Sequence, residues 1–156
     1  MRVSQDIVDR VLELYVPGYR YLQEVDMASP ASSEARGRFI IGETEYREKL
    51  NHLTDAEAQM CLNQMCYAFF WQGITQNRWK GLEGLAFADY LDIRKERMYV
   101  RESYKKFYRK IEPGFSFYGY ISLKKVRKQR DSYVAIVGFD FDEGATKGHL
   151  ELVLTR

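Results

Sequence analysis

Two cysteines and two histidines are all that 156 residues supply as soft metal ligands or disulfide partners. Cys61 and Cys66 sit in one apolar run, and His52 and His149 stand far apart in the chain, so neither a zinc site nor a disulfide framework can be assembled from them. The expectation is a pair of reduced, buried thiols, no metal and no cofactor. Charge of one sign is scarce too. Against 24 Lys and Arg stand 22 Asp and Glu, a formal balance of +2 that is too weak to imply nucleic acid. No P-loop, dinucleotide fingerprint or G-x-S-x-G is present. No run of about 18 uninterrupted apolar residues exists to span a bilayer, and the opening "MRVSQDIVDRV" is charged and amphipathic rather than a signal peptide. A cytoplasmic protein without a membrane segment is expected. Repeats, linkers and low-complexity tracts are missing as well, which leaves residues 1–156 as a single domain long enough to bury its own core.

What the chain does have is aromatic surface: 12 Tyr and 9 Phe favour strands and lined pockets over coiled coil or disorder. "SQDIVDRVLELYVPG" puts Ile7, Val8, Val11, Leu12 and Tyr15 on one helical face before Pro17 and Gly18 stop it. "YRYLQEVDM" and "EARGRFIIG" read as strands joined by the polar "ASPASSE". Thr54 followed by Glu57 is the T-x-x-E capping box, which starts a helix that is apolar nearly all round from Ala56 to Trp71, with Gly73 as its expected end. Beyond it, "GLEGLAFADYLDI", "RMYVRESYKKFYRKI", "FSFYGYISLKKV", "SYVAIVGFDF" and "GHLELVLTR" read as strands. Pro113-Gly114 is expected to form a type II turn and "DEGATKG" a hairpin-like loop. One long buried helix followed by an antiparallel meander predicts an α+β fold with the sheet wrapped around that helix.

Chemistry concentrates where the helix begins. A first turn presents unpaired backbone N–H groups and a partial positive charge, which suits a thioester carbonyl as it becomes negative. His52, two residues before Thr54, is either a general base with a pKa suited to neutral pH or a solvated loop histidine. The hydroxyls of Tyr46 and Thr54 are close enough in sequence to share a pocket with it. Asp55 and Glu57 fit capping. Asn63 interrupts the greasy helix and is either satisfied by a strand carbonyl or turned into a ligand site, with Gln59, Cys66 and Phe70 on roughly the same face. The basic runs "YKKFYRK" and "KKVRKQR" are either a charged outer sheet face or a dock for an acidic carrier protein or a phosphopantetheine phosphate.

The order of parts, with the turn in "KIEPGFSF", resembles the hotdog fold of thioesterases and dehydratases. More narrowly, "RYL", "FIIGETEY", "HLTDAEAQMCLNQMCYAFF" and "ADY" resemble the FcoT-type hotdog family from Val11 to the C-terminus. Its most specific block is the Tyr46–x5–His52–x–Thr54 spacing followed by "CLNQ" at Cys61 to Gln64. The resemblance implies a homodimer or higher even oligomer whose acyl pocket lies between the central helix and the partner subunit. Family members hydrolyse acyl thioesters. Others add glycine to the β-carbon of an α,β-unsaturated acyl thioester, in pathways to isonitrile lipopeptides and to macrolactam polyketides with β-amino acid starters. By position, His52 corresponds to the proposed base, Tyr46 and Thr54 to the residues that hold the glycine-derived carboxylate, Asn63 to the helix asparagine and Tyr15 to a pocket tyrosine. The implied reaction takes glycine and an enoyl thioester on an acyl carrier protein, and hydrolysis then releases an N-carboxymethyl β-amino acid. The alternative is plain hydrolysis of a fatty acyl-CoA or carrier-bound thioester.

Overall fold

Period-2 alternation through the second half of the chain builds the sheet, and the long apolar run before it fills the concave side. The computed structural model describes residues 1–29, 32–42, 50–75 and 86–155. In chain order these form α1 (Gln5–Val11), a 3-10 turn (Pro17–Tyr19), β1 (Leu22–Met27), β2 (Glu34–Ile40), α2 (Asp55–Thr75), α3 (Phe87–Asp92) with a π-helical turn (Ile93–Arg97), β3 (Met98–Phe107), β4 (Ser116–Gln129), β5 (Ser132–Phe141) and β6 (Thr146–Thr155). The strands make one six-stranded sheet in the order β1-β2-β4-β5-β6-β3, and every neighbouring pair is antiparallel. In that order β1 and β3 stand at the two edges.

The register explains the core. Phe39, Phe117 and Phe141 fall in phase on one face and stack or tilt against one another at ring separations of 5.4 to 6.1 Å. Against this face α2 lays Met65, whose sulfur lies beside Gly37 and Phe39, and Phe69 and Phe70 of the same helix are buried in the same core. Of its 21 residues, 13 are buried and they lie all round it, so α2 behaves as a core element rather than an amphipathic surface helix. Each fully buried side chain of the size of Met65 or Phe70 contributes about 1.5–3 kcal/mol relative to exposure. The amphipathic α1 closes the remaining side with Val8, Val11 and Leu12 buried and Ile7 and Tyr15 packed against the core, the face expected from its spacing.

Turn chemistry follows the residues present. Gly114 has φ +83°, the left-handed value that the second central position of a type II turn demands, and its N–H donates to the Ile41 carbonyl at 2.8 Å. Asp142, Glu143 and Gly144 all have positive φ in the β5–β6 connection.

Two expectations are corrected. The helix does not end at Gly73. It continues to Thr75 because Gln72, Gly73 and Ile74 are all buried, and packing of that turn outweighs the roughly 1 kcal/mol helical cost of one glycine. Nor does "GLEGLAFADYLDI" contribute a strand among the described residues. Phe87–Asp92 is helical, started by the Ala86 N–H donating to the Asp89 carboxylate at 3.0 Å. Tyr90, Ile93 and Arg94 are buried at helical i, i+3, i+4 spacing, and the Tyr90 hydroxyl donates to the Tyr67 carbonyl at 2.6 Å.

Candidate active site

The start of α2 is pinned before any side chain acts. The Leu53 N–H donates to the Ile111 carbonyl at 2.8 Å, and the Leu53 side chain is buried, so the chain enters the helix from a fixed point. The Thr54 N–H then donates to Glu57 Oε2 at 2.8 Å, the reciprocal bond that the T-x-x-E spacing predicts. The Thr54 hydroxyl donates to the same carboxylate oxygen. Glu57 is completely buried in the first turn, where the helix dipole favours an acidic side chain. A hydroxyl has one proton, and here Thr54 gives it to Glu57. His52, just outside this turn, is exposed in the single chain. Tyr46 lies outside the described residues.

From this end a polar chain runs along α2. Gln59 Nε2 donates to Asn63 Oδ1 at 2.9 Å. Asn63 and Tyr67 both lie beside the Tyr15 hydroxyl, with the two tyrosine rings 6.5 Å apart. Burial pushes the Tyr15 phenol well above its ordinary range, and burial also raises Tyr67, so both stay neutral donors or acceptors. Asn63 Oδ1 thus takes its hydrogen from another side chain of the same helix. Gln59, Asn63, Cys66 and Tyr67 line a cavity of about 450 Å³ closed on the other side by Met98, Tyr99, Val100 and Leu152. It lies between α2 and the edge strand β3. Of the expected site residues the structure places Asn63 in the cavity lining; Tyr15 packs behind it against Tyr67, Thr54 stands at the helix entrance, and His52 is not in the lining.

Gln64, the neighbour of Asn63, has a different task. Its Oε1 accepts from the backbone N–H groups of Tyr21 and Leu22 at 2.9 and 3.0 Å, and its Nε2 donates to the Tyr19 carbonyl at 2.6 Å. It satisfies the backbone where the chain turns from the 3-10 segment into the irregular start of β1. The cysteines lie on the same helix and are inert: burial pushes both thiols far up, and neither is bonded to sulfur.

One charged residue at the site was not anticipated. Lys105, on β3, points toward α2 with its side chain 7% exposed. Its ammonium donates to Gln59 Oε1 at 2.8 Å and to Ser103 Oγ at 2.9 Å, and pairs with Asp55 Oδ1 at 3.1 Å. The run "YKKFYRK" thus splits: Lys106, Arg109 and Lys110 are exposed, and Lys105 is not. A larger depression of about 550 Å³ lies elsewhere, on the face of the sheet opposite Phe39, Phe117 and Phe141. Four of its charges pair with one another, Arg36 with Asp26 and Lys147 with Asp140, each at 3.1 Å, and no residue of α2 lines it. Of the two, the smaller cavity is the one that adjoins α2 and holds Asn63.

Residues 10–154 match the FcoT-like thioesterase domain. The chain belongs to the FcoT-like thioesterase family. A relative from Mycobacterium marinum, the (2E)-enoyl-[ACP] glycyltransferase, is 29% identical over 158 residues, covering 96% of this chain and 85% of its own. Among solved structures, a thioesterase superfamily protein from Shewanella loihica superposes with a TM-score of 0.54 at 9% identity, covering 86% of this chain and 91% of that one. A sigma28-regulated virulence protein from Campylobacter jejuni gives 0.54 at 13% identity, covering 96% and 95%. At such identities these two show the fold alone, and that fold is the hotdog: an antiparallel sheet around one long helix. This member of the FcoT-like family is an enzyme built on it. Among the described residues, no helix is long and apolar enough to cross a membrane.

Proposed function

We propose that the protein adds glycine to the β-carbon of an α,β-unsaturated acyl thioester carried by an acyl carrier protein, then hydrolyses the thioester to release an N-carboxymethyl β-amino acid. The observation that carries this reading is kinship, over 96% of the chain, with a relative named for glycyl transfer to an enoyl carrier-protein substrate. The helix start and the polar cavity beside it support it. In the first step His52 takes a proton from the glycine ammonium, and the amine lone pair attacks the β-carbon. The displaced π electrons collect on the thioester oxygen, opposite the N–H groups of Asp55 and Ala56, which have no acceptor within the helix. The enolate then takes the proton back from the His52 imidazolium at its α-carbon, which returns His52 to its neutral form, and the adduct amine keeps the proton it carried as ammonium. In the second step His52 accepts a proton from water, the hydroxide adds to the carbonyl carbon, and the tetrahedral intermediate expels the carrier thiolate, which leaves protonated. The oxygen is negative in both steps, so one set of donors serves both. Tyr46 and Thr54 flank the glycine carboxylate, and Thr54 can donate to it only by releasing Glu57. Tyr15 and Asn63 orient the acyl end of the substrate.

A homodimer completes the pocket in this reading. Support comes from β3, an edge strand whose Tyr99 is half exposed at the rim of the cavity. The exposed "KKVRKQR" segment, from Lys124 to Arg130, offers cations to an acidic carrier. The test is to incubate the protein and a carrier-bound 2-enoyl thioester with and without glycine and to follow the acyl product by mass. Free acid heavier than the enoic acid by one glycine is expected only when glycine is present. Release of the unmodified enoic acid with glycine in excess would instead establish plain hydrolysis, and no turnover would leave a binding module.

A further inference from the structure

We propose that Lys105 is the cation of a carboxylate subsite at the mouth of the α2–β3 cavity and that the glycine carboxylate binds there in place of Asp55. The assignment rests on the glycine-adding reading above and supplies what that reading lacks, a positive charge for an anionic co-substrate. Thr54 has committed its one proton to Glu57. A hydrogen bond from an ammonium to a carboxylate is about twice as strong as one between neutral groups.

Strand alternation brings Lys105 inward. It pairs in register with Gly148, and Ser103 pairs with the buried Leu150, so both side chains stand on the α2 face of β3. Gly148 is required for that approach: a Cβ there would lie 1.9 Å from the Tyr104 carbonyl oxygen. An ammonium buried this far must have partners, and the three it has differ in kind. Gln59 Oε1 and Ser103 Oγ are held by each other, the Ser103 hydroxyl donating to Gln59 at 2.8 Å, and Gln59 is fixed in turn by Asn63. Those two neutral oxygens form a rigid seat. The countercharge comes from Asp55, whose side chain is 69% exposed and reaches Lys105 from the solvent side. An exposed carboxylate contributes little to such a pair, so an incoming carboxylate displaces it at small cost. Gln59 both seats Lys105 and lines the cavity. A carboxylate on Lys105 therefore sits at the cavity rim, leaving the amine of glycine to enter toward the acyl chain.

The experiment compares glycine with glycinamide as donors to a 2-enoyl thioester, in the wild type and in Lys105→Met, Lys105→Arg and Asp55→Asn. In Lys105→Met the KM for glycine should rise about 10–100-fold, the loss expected of one charge-assisted hydrogen bond, and the KM for the acyl thioester should move far less. Lys105→Arg should restore part of that loss. Asp55→Asn should lower the KM for glycine by removing the resident competitor, a gain that general damage to the fold would not produce. Glycinamide should be a poor donor and insensitive to residue 105. An inward lysine on an edge strand also discourages sheet-to-sheet pairing. Were that its whole role, Lys105→Met would alter the oligomeric state and leave the KM for glycine unchanged. That outcome overturns the assignment, as does an unchanged or higher KM for glycine in Asp55→Asn. A wild type that forms no glycine adduct overturns the parent reading and this subsite with it, whereas adduct formation with KM values indifferent to residues 105 and 55 removes the subsite alone.

Discussion

Replacing Gln64 by leucine keeps the volume of a buried side chain and deletes its amide. The amide accepts from the Tyr21 and Leu22 N–H groups and donates to the Tyr19 carbonyl, at 2.9, 3.0 and 2.6 Å, and Gln64 itself is fully buried. Each buried backbone group that loses its partner costs about 1–3 kcal/mol. The carbonyl, with two lone pairs, suffers least. Two donors and one acceptor together give a loss of about 3–5 kcal/mol, a large part of the 5–15 kcal/mol that holds a typical domain. With a urea slope of about 2 kcal/mol/M, the unfolding midpoint should fall by about 1.5–2.5 M. The measurement is equilibrium unfolding at one fixed protein concentration, since association adds to apparent stability. Gln64→Glu separates the contributions: its carboxylate can still accept from both N–H groups but cannot donate to Tyr19. Asn63→Ala, one residue away, should cut turnover while moving the midpoint much less. A Gln64→Leu protein within about 1 kcal/mol of wild type would refute the claim that this amide completes the entry into β1.

Three further outcomes follow from the same geometry. His52→Ala should lose both addition and hydrolysis by about 10²–10⁴-fold in steady-state assays; wild-type rates for both steps would remove it from the chemistry. Gly148→Ala must push β3 away from β6, so a loss on the order of 1–3 kcal/mol by thermal unfolding should accompany a raised KM for glycine. Burial raises Cys61, Cys66, Tyr15, Tyr67 and Tyr90, so on unfolding these groups give up their protons at lower pH than in the folded chain. The unfolded state then holds fewer protons, and stability falls as pH rises through about 8.5 for the thiols and about 10 for the phenols, each group adding up to about 1.4 kcal/mol per pH unit. Denaturant midpoints that stay level from pH 8 to 10.5 would contradict the burial of these five side chains.

Much of this was legible before any coordinates, where one local rule decided the outcome. Thr54 and Glu57 mark the start of α2 because a capping box is a three-residue interaction, and the β4, β5 and β6 alternation survives because both faces are sampled within a few residues. The errors arose where tertiary packing outvoted composition. Aromatic and aliphatic density in "LAFADYLDI" suggested a strand, whereas the i, i+3, i+4 spacing of Tyr90, Ile93 and Arg94 was the informative pattern. Lys105 was hidden twice. It stands in a run of basic residues that mostly face water, and the β3 bulge between Val100 and Glu102 shifts the phase that alternation would assign. Its partner Gln59 is 46 residues away, on another element. Pairing at that distance cannot be read from spacing.

In the proposed reaction, the charges around the start of α2 bear on how hydrolysis and addition would share one helix. Glu57 holds the backbone and hydroxyl of Thr54 from inside the protein, and Lys105 holds Asp55 from across the β3 edge. Glu57 takes the N–H of Thr54, which in the proposed mechanism leaves the N–H groups of Asp55 and Ala56 for the oxyanion. A plain thioesterase requires only that oxyanion site and a base. The Lys105, Ser103 and Gln59 seat adds nothing to hydrolysis, since neither water nor the thiolate leaving group needs a fixed cation at the cavity rim. A second, anionic substrate does need one. If Asp55 exchanges for the substrate carboxylate as proposed, the Lys105–Asp55 pair fits a two-substrate reaction better than hydrolysis alone.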